Sequence, residues 1–204
     1  MYMDELIKIL KESEVLRSKD IIRAFTAVDR KDFVRPENVI EAYENYPLPI
    51  GFGQTISQPY TVAFMLELLD PEPGNRVLDV GSGSGWTTAL LAYIVGEKGL
   101  VYGIEIIPEL AKWGAENLVN YHFKHASIHE AGETLGNPSW APYDRILVSA
   151  AGNDIPDTLV KQLAPGGIMV IPVKSSLCQI KKDRAGIITT NMFDGFVFVP
   201  LITG

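Results

Sequence analysis

Apolar residues recur at helical spacing near the N-terminus. Leu6, Ile7, Ile9 and Leu10 fall on one face, and Ile21, Ile22, Phe25 and Val28 on another. Ser18 stands at the N-cap position of the second predicted helix. The pattern then breaks. Tyr46-Pro-Leu-Pro-Ile-Gly-Phe-Gly-Gln54 holds two prolines and two glycines, which argues against a regular element there. Periodicity resumes at Pro59, which suits a first helical turn. Val62, Met65, Leu66 and Leu69 then make one face, and Ser57 or its neighbour can cap.

From Arg76 onward, short apolar runs alternate with helical patterns. Strands are predicted over 76–80, 100–106, 143–149 and 168–173, with a weaker one over 127–129. Helices are predicted over 86–95, 109–120 (opened by Pro108) and 155–163 (closed by Pro165-Gly166-Gly167). The tail, 177–201, reads as two or three β segments with a hairpin turn at 183–186, and the aromatic run 192–199 as a buried strand. Strand and helix in alternation predict an α/β fold, a parallel sheet with helices on both faces. At 204 residues the chain is close to one domain plus an elaboration, at about 150 residues per domain. We read residues 1–57 as an N-terminal helical elaboration and substrate loop, and 58–204 as the core.

Composition narrows the function classes. A 47% apolar content excludes disorder, and 18 basic against 25 acidic residues give a net charge of −7. That charge lacks the positive field of sequence-independent nucleic-acid binding, so no nucleic-acid partner is expected. One cysteine, Cys178, excludes an intrachain disulfide and a cysteine-based zinc site. The acidic N-terminus does not read as a secretory signal, and no apolar run approaches the ~20 residues of a membrane span. A soluble, cytoplasmic chain is the expectation.

The candidate chemistry begins at Val77-Leu-Asp-Val-Gly-Ser-Gly-Ser-Gly85, between a predicted strand and a predicted helix. Glycines there permit tight turning and close approach of a ligand to the backbone. A dinucleotide fingerprint, Gly-x-Gly-x-x-Gly, would need glycine at position 86, where Trp86 stands; the Gly-Lys-Ser/Thr of a P-loop is absent. Glu105 ends the next predicted strand, where a carboxylate can accept hydrogen bonds from both hydroxyls of a ribose. Asp79, the glycines and Glu105 together suit a nucleoside without a large phosphate group.

Asp79 to Gly85 with Glu105 resembles the nucleoside-binding motifs of class I S-adenosylmethionine-dependent methyltransferases. Pro47-Leu-Pro-Ile-Gly-Phe-Gly-Gln-Thr-Ile-Ser-Gln-Pro-Tyr60 resembles the more restricted signature of protein-L-isoaspartate O-methyltransferases, supported by Ala141-Pro-Tyr-Asp144, Gln162-Leu-Ala-Pro-Gly-Gly167, Ile171-Pro-Val173 and Phe198-Val-Pro-Leu201. The resemblance implies a Rossmann-like, mostly parallel seven-stranded sheet, its last two strands in an order particular to the family. It implies S-adenosyl-L-methionine as cofactor, isoaspartyl proteins or peptides as substrates, no metal, and a monomer. It implies methylation of the free carboxylate at an isoaspartyl residue; the ester closes to a succinimide that hydrolyses partly to aspartate. That acceptor is already ionised at neutral pH, so no general base is needed and alignment carries the catalysis.

By the same resemblance Ser57 is the active-site residue, a hydrogen-bond donor that orients the substrate carboxylate. Gly53 and Gln54 join it in substrate binding, and Thr55, Ile56, Asp79, Gly81, Gly83, Gly85, Glu105, Ile106 and Gly132 bind the cofactor. Gly132 replaces a family aspartate that meets the adenine, with Glu133 beside it as a substitute; Lys174 stands where glycine is common. Two rivals stay open: a methyltransferase of ordinary aspartate in a peptide precursor, and a non-catalytic nucleoside-binding relative. His122, His125 and His129 have helical spacing but span a predicted helix end, which disfavours a metal site. Trp86, Trp113 and Trp140 are expected in packing roles, and Cys178 as a small buried apolar side chain on a strand.

Overall fold

In the computed structural model, which describes residues 2–202, the amphipathic N-terminus folds into α1 (Met3–Glu12) and α2 (Lys19–Ala27). Two 3-10 turns follow, Arg30–Phe33 and Pro36–Glu41. The segment expected to lack regular structure instead forms a small hairpin, β1 (Leu48–Gly51) and β2 (Gln54–Ile56). Its prolines are tolerated because the hairpin stands apart from the main sheet, with unpaired outer edges. Its tip, Gly51-Phe52-Gly53, has positive φ at all three residues.

Next come α3 (Pro59–Leu69), β3 (Arg76–Val80), α4 (Trp86–Val95), β4 (Leu100–Glu105), α5 (Pro108–Val119) and β5 (Ala126–Glu130). The remainder is β6 (Tyr143–Val148), α6 (Asp157–Gln162), β7 (Leu163–Val173), β8 (Ser176–Lys182) and β9 (Ile188–Asp194). The seven-stranded sheet has the order β5-β4-β3-β6-β7-β8-β9. The first five strands are parallel, and the last two extend them as an antiparallel meander. This is the Rossmann-like α/β architecture expected. The order turns back beside β3, and the crevice at the carboxyl ends of β3 and β6 is where such sheets take ligands.

Both faces carry helices, but unequally. One apolar cluster joins α1 to α5 with Val77, Val101, Leu147 and Val170 of the sheet. On the other face only α6, through Leu159, packs against Leu78, Ile146 and Met169. Only a 3-10 turn, Pro138–Trp140, lies between β5 and β6. Tyr102 there is covered by His129, with ring centroids 4.6 Å apart, and by Trp140 at 4.9 Å.

The remaining boundaries differ at three places. The helix expected over 155–163 is six residues long, and extended backbone resumes at Leu163. Pro165-Gly166-Gly167 forms a bulge inside β7, between the pairs Tyr143–Leu163 and Arg145–Ile168. The run 192–199 is not a buried strand. β9 is the sheet edge, with Met192 62% exposed, and beyond it Val197 is 93% exposed; Phe193, Phe196, Phe198 and Val199 are partly buried. The turn at 183–186 is as expected: the Asp183 carboxylate accepts from the amides of Ala185 and Ile187, both at 2.8 Å. Cys178 is buried on β8, and Lys174 takes the left-handed turn position at φ 56°.

Candidate active site

The glycine loop leaves β3 with positive φ at Gly81, Gly83 and Gly85. The amides of Gly81 and Ser82 donate to the Ile104 carbonyl at 2.8 and 3.1 Å, tying the loop to β4. Gly83 donates its N–H to Glu105 Oε2 at 2.9 Å, and Ile107 donates to Oε1 at 3.0 Å. Each carboxylate oxygen keeps a second lone pair. A Cβ at Gly85 would lie 2.9 Å from the Gly114 carbonyl, and one at Gly114 2.6 Å from that of Gly83. Gly85 and Gly114 thus supply the close helix approach that the third glycine of a dinucleotide site supplies elsewhere.

Asp79 points away from the loop's ligand side, under the first turn of α4. Thr87 and Thr88 donate their hydroxyls to Oδ2 at 2.7 and 2.6 Å, while Oδ1 has no partner among the described residues. Burial raises its carboxyl to about 6, against the lowering effect of the two threonines and with a further push from Glu105. Its place is structural support for the loop and helix rather than a cavity wall.

The segment from Gln54 to Ser57 is fixed from outside. The residue before α3 is Gln58, which makes no side-chain cap. Asn45 Oδ1 accepts the Tyr60 N–H at 3.0 Å and satisfies that first-turn donor from a distance. Ser57 is therefore not the cap, and its hydroxyl makes no hydrogen bond to a described residue. Arg30 donates to the carbonyls of Ala42, Glu44, Tyr46 and Ser57. Arg35 donates from Nε to the Ile50 carbonyl at 2.7 Å while its guanidinium lies 3.8 Å from the Trp113 ring centroid.

These elements surround a cavity of about 470 Å³, within the ~300–1,000 Å³ of small-ligand sites. Gln54, Thr55, Ile56 and Ser57 form one wall; Gly81, Gly83, Glu105, Ile106 and Gly132 form another. Among residues expected at the site, Asp79, Gly85 and Gly53 do not line it: the first two sit behind the loop, and Gly53 occupies the exposed hairpin tip. Glu133 lines the cavity beside Gly132, where a Cβ would meet nothing within 4 Å. Two features escaped the sequence. The tail at 199–202 closes one side, clipped to Ala151 by bonds with Val199 and Leu201, both 2.8 Å. Arg30 and Asn45 also gave no signal, because their partners are distant in sequence.

The residues set aside earlier are dispersed. His122 is in a turn, His125 Nε2 meets the Ala92 carbonyl at 2.9 Å, and His129 Nε2 meets Ser127 Oγ at 2.9 Å. Trp86 is buried, edge-on to Phe25 at 5.5 Å, and also lines the cavity. No described helix is long and apolar enough to cross a membrane.

Comparisons with known proteins place the chain in one family. The family model for protein-L-isoaspartate(D-aspartate) O-methyltransferase matches residues 1–204. The chain is 43% identical to the protein-L-isoaspartate O-methyltransferase of Methanopyrus kandleri, covering 98% of this chain and 90% of that protein. It is 45% identical to the one from Aeropyrum pernix, over 97% of this chain and 78% of the relative. A solved Plasmodium falciparum structure assigned to the same enzyme class, in complex with S-adenosyl-L-homocysteine, superposes with a TM-score of 0.87 at 26% identity, covering 98% of both chains.

Proposed function

The chain belongs to the protein-L-isoaspartate(D-aspartate) O-methyltransferase family, and we propose that its cavity places S-adenosyl-L-methionine beside Ser57 for transfer to the free carboxylate of L-isoaspartyl residues. The observation that carries this reading is the shared cavity: an unengaged serine hydroxyl on one wall, and the Glu105 carboxylate with the glycine loop on the other. The donor set suits a nucleoside. Glu105 is 6% exposed, anchored by two amides, and retains acceptor capacity for ribose hydroxyls.

Bound there, the cofactor supplies an electrophilic methyl group on a sulfonium. The chain's own residues bind and orient. Gly81, Gly83, Glu105, Ile106 and Gly132 hold the nucleoside end, with Glu133 in reach of the base, and Thr55 and Ile56 border it from the opposite wall. Asp79 and Gly85 support the loop from behind. Ser57 donates to the substrate carboxylate and fixes its line of approach, with Gln54 beside it and the Gly53 tip free for the substrate backbone. No residue needs to remove a proton, because the acceptor is ionised at neutral pH.

The N-terminal helices share one apolar cluster with α4, which supports a single domain. The net charge of −7 supports a protein without a nucleic-acid partner, and the single cysteine fits a reducing, cytoplasmic compartment. The test is repair itself. With the cofactor, an isoaspartyl peptide is expected to pass through a methyl ester to a mixture enriched in its aspartyl form. An unchanged peptide under saturating cofactor would overturn the reading.

A further inference from the structure

Arg30 is fully buried, yet no carboxylate pairs with it among the described residues. Its four acceptors are all main-chain carbonyls. Nη1 donates to Ala42 at 2.7 Å and Glu44 at 3.3 Å, and Nη2 donates to Tyr46 and Ser57, both at 3.1 Å. Three of these precede the hairpin and the fourth follows it. The guanidinium thus closes the whole segment into a loop whose neck carries Ser57. On its other side it lies 5.4 Å from the ring centroid of Trp86, the first residue of the helix that follows the glycine loop.

Burying an uncompensated guanidinium is costly, and an apolar side chain would fill the space at less expense. Burial lowers its pKa only to about 10, so it stays charged at neutral pH. A planar fork is the group able to hold four carbonyls in one fixed arrangement; a lysine ammonium offers three donors from a point.

We infer that Arg30 is a positioning residue for methyl transfer: its fork fixes the Ser57 main chain against the Trp86 end of the cofactor loop. Arg30 reaches neither cofactor nor substrate; it sets the separation of the two walls that do. The inference rests on the functional reading above and deepens it.

The test compares wild type, Arg30→Lys, Ser57→Ala and the double variant with an isoaspartyl peptide, and measures S-adenosylhomocysteine binding by calorimetry. Arg30→Lys is expected to bind S-adenosylhomocysteine within about threefold of wild type while kcat falls at least about tenfold, with a smaller change in peptide KM, since a misplacement near 1 Å costs on the order of a hundredfold. The double variant is expected to lose no more than Ser57→Ala alone. Wild-type kcat in Arg30→Lys, or losses that multiply in the double variant, would overturn the inference.

A wild type that transfers no methyl would sink the functional reading instead. Arg30 is then judged by amide hydrogen exchange over 54–57, expected to quicken in Arg30→Lys with the sheet unchanged; equal protection would refute the role. If Arg30→Lys does not fold, Arg30→Gln takes its place. Failure of both to fold overturns the inference, because Arg30 would then serve the fold as a whole.

Discussion

Asn45 caps α3 from fourteen residues upstream, its Oδ1 accepting the Tyr60 amide at 3.0 Å. This removes the need for Ser57 to cap and leaves its hydroxyl without a hydrogen-bond partner among the described residues. Asn45→Ala is expected to cost about 1 kcal/mol of stability, the usual value of a cap. It should also lower kcat/KM for an isoaspartyl peptide while leaving cofactor affinity unchanged. Urea unfolding and steady-state kinetics check the two effects.

Gly114 faces the glycine loop at contact distance, whereas Gly132 faces open space. Gly114→Ala puts a methyl 2.6 Å from the Gly83 carbonyl, so the backbone must move. A loss of about 1–3 kcal/mol is expected, with weaker S-adenosylhomocysteine binding. Gly132→Ala should leave stability within about 0.5 kcal/mol of wild type. Thermal melts with and without S-adenosylhomocysteine separate the two.

Glu105 fastens the glycine loop to the end of β4. Glu105→Gln replaces one acceptor oxygen with a donor facing an amide. Hydrogen bonds to charged groups contribute about 1.5–3 kcal/mol, so affinity for S-adenosylhomocysteine should fall by about 10- to 100-fold. Calorimetric titration reads this directly.

Asp79 makes stability depend on pH. Its folded pKa, about 6, lies above its ordinary value of 3.8, so the folded state binds the proton more tightly. Its contribution is fully present below the unfolded pKa and disappears as pH rises through about 6. Wild type should lose about 2 kcal/mol relative to Asp79→Asn between pH ~4.5 and ~7.5. Urea denaturation of both at the two pH values checks this; a constant difference would contradict the buried-carboxyl account.

Much of this was legible in the sequence, for identifiable reasons. Arg76–Val80, the glycine loop and Trp86–Val95 read correctly because a buried parallel strand, a tight turn and a helix leave distinct local patterns. The hairpin at 48–56 was obscured by its prolines, which a strand with an unpaired outer edge tolerates. The run 192–199 carried the aromatics of a core strand, but β9 ends at Asp194 on the sheet edge, and edge position is decided by which strands pair, which is not local. At the site, Ser57, Glu105 and their flanking residues line the cavity. Asp79 does not, because alternation along β3 turns it under α4 rather than toward the cavity. Arg30 was invisible since all four of its partners are main-chain carbonyls at least twelve residues away.

The role proposed for Ser57 is to direct a methyl group to an isoaspartyl carboxylate. The most direct test is transfer of labelled methyl from S-adenosylmethionine to a matched peptide pair, one with isoaspartate and one with aspartate. Wild type is expected to label only the isoaspartyl peptide, and Ser57→Ala to do so about 10- to 100-fold more slowly with cofactor affinity intact. Labelling of the aspartyl peptide alone, or an undiminished rate in Ser57→Ala, would contradict the account.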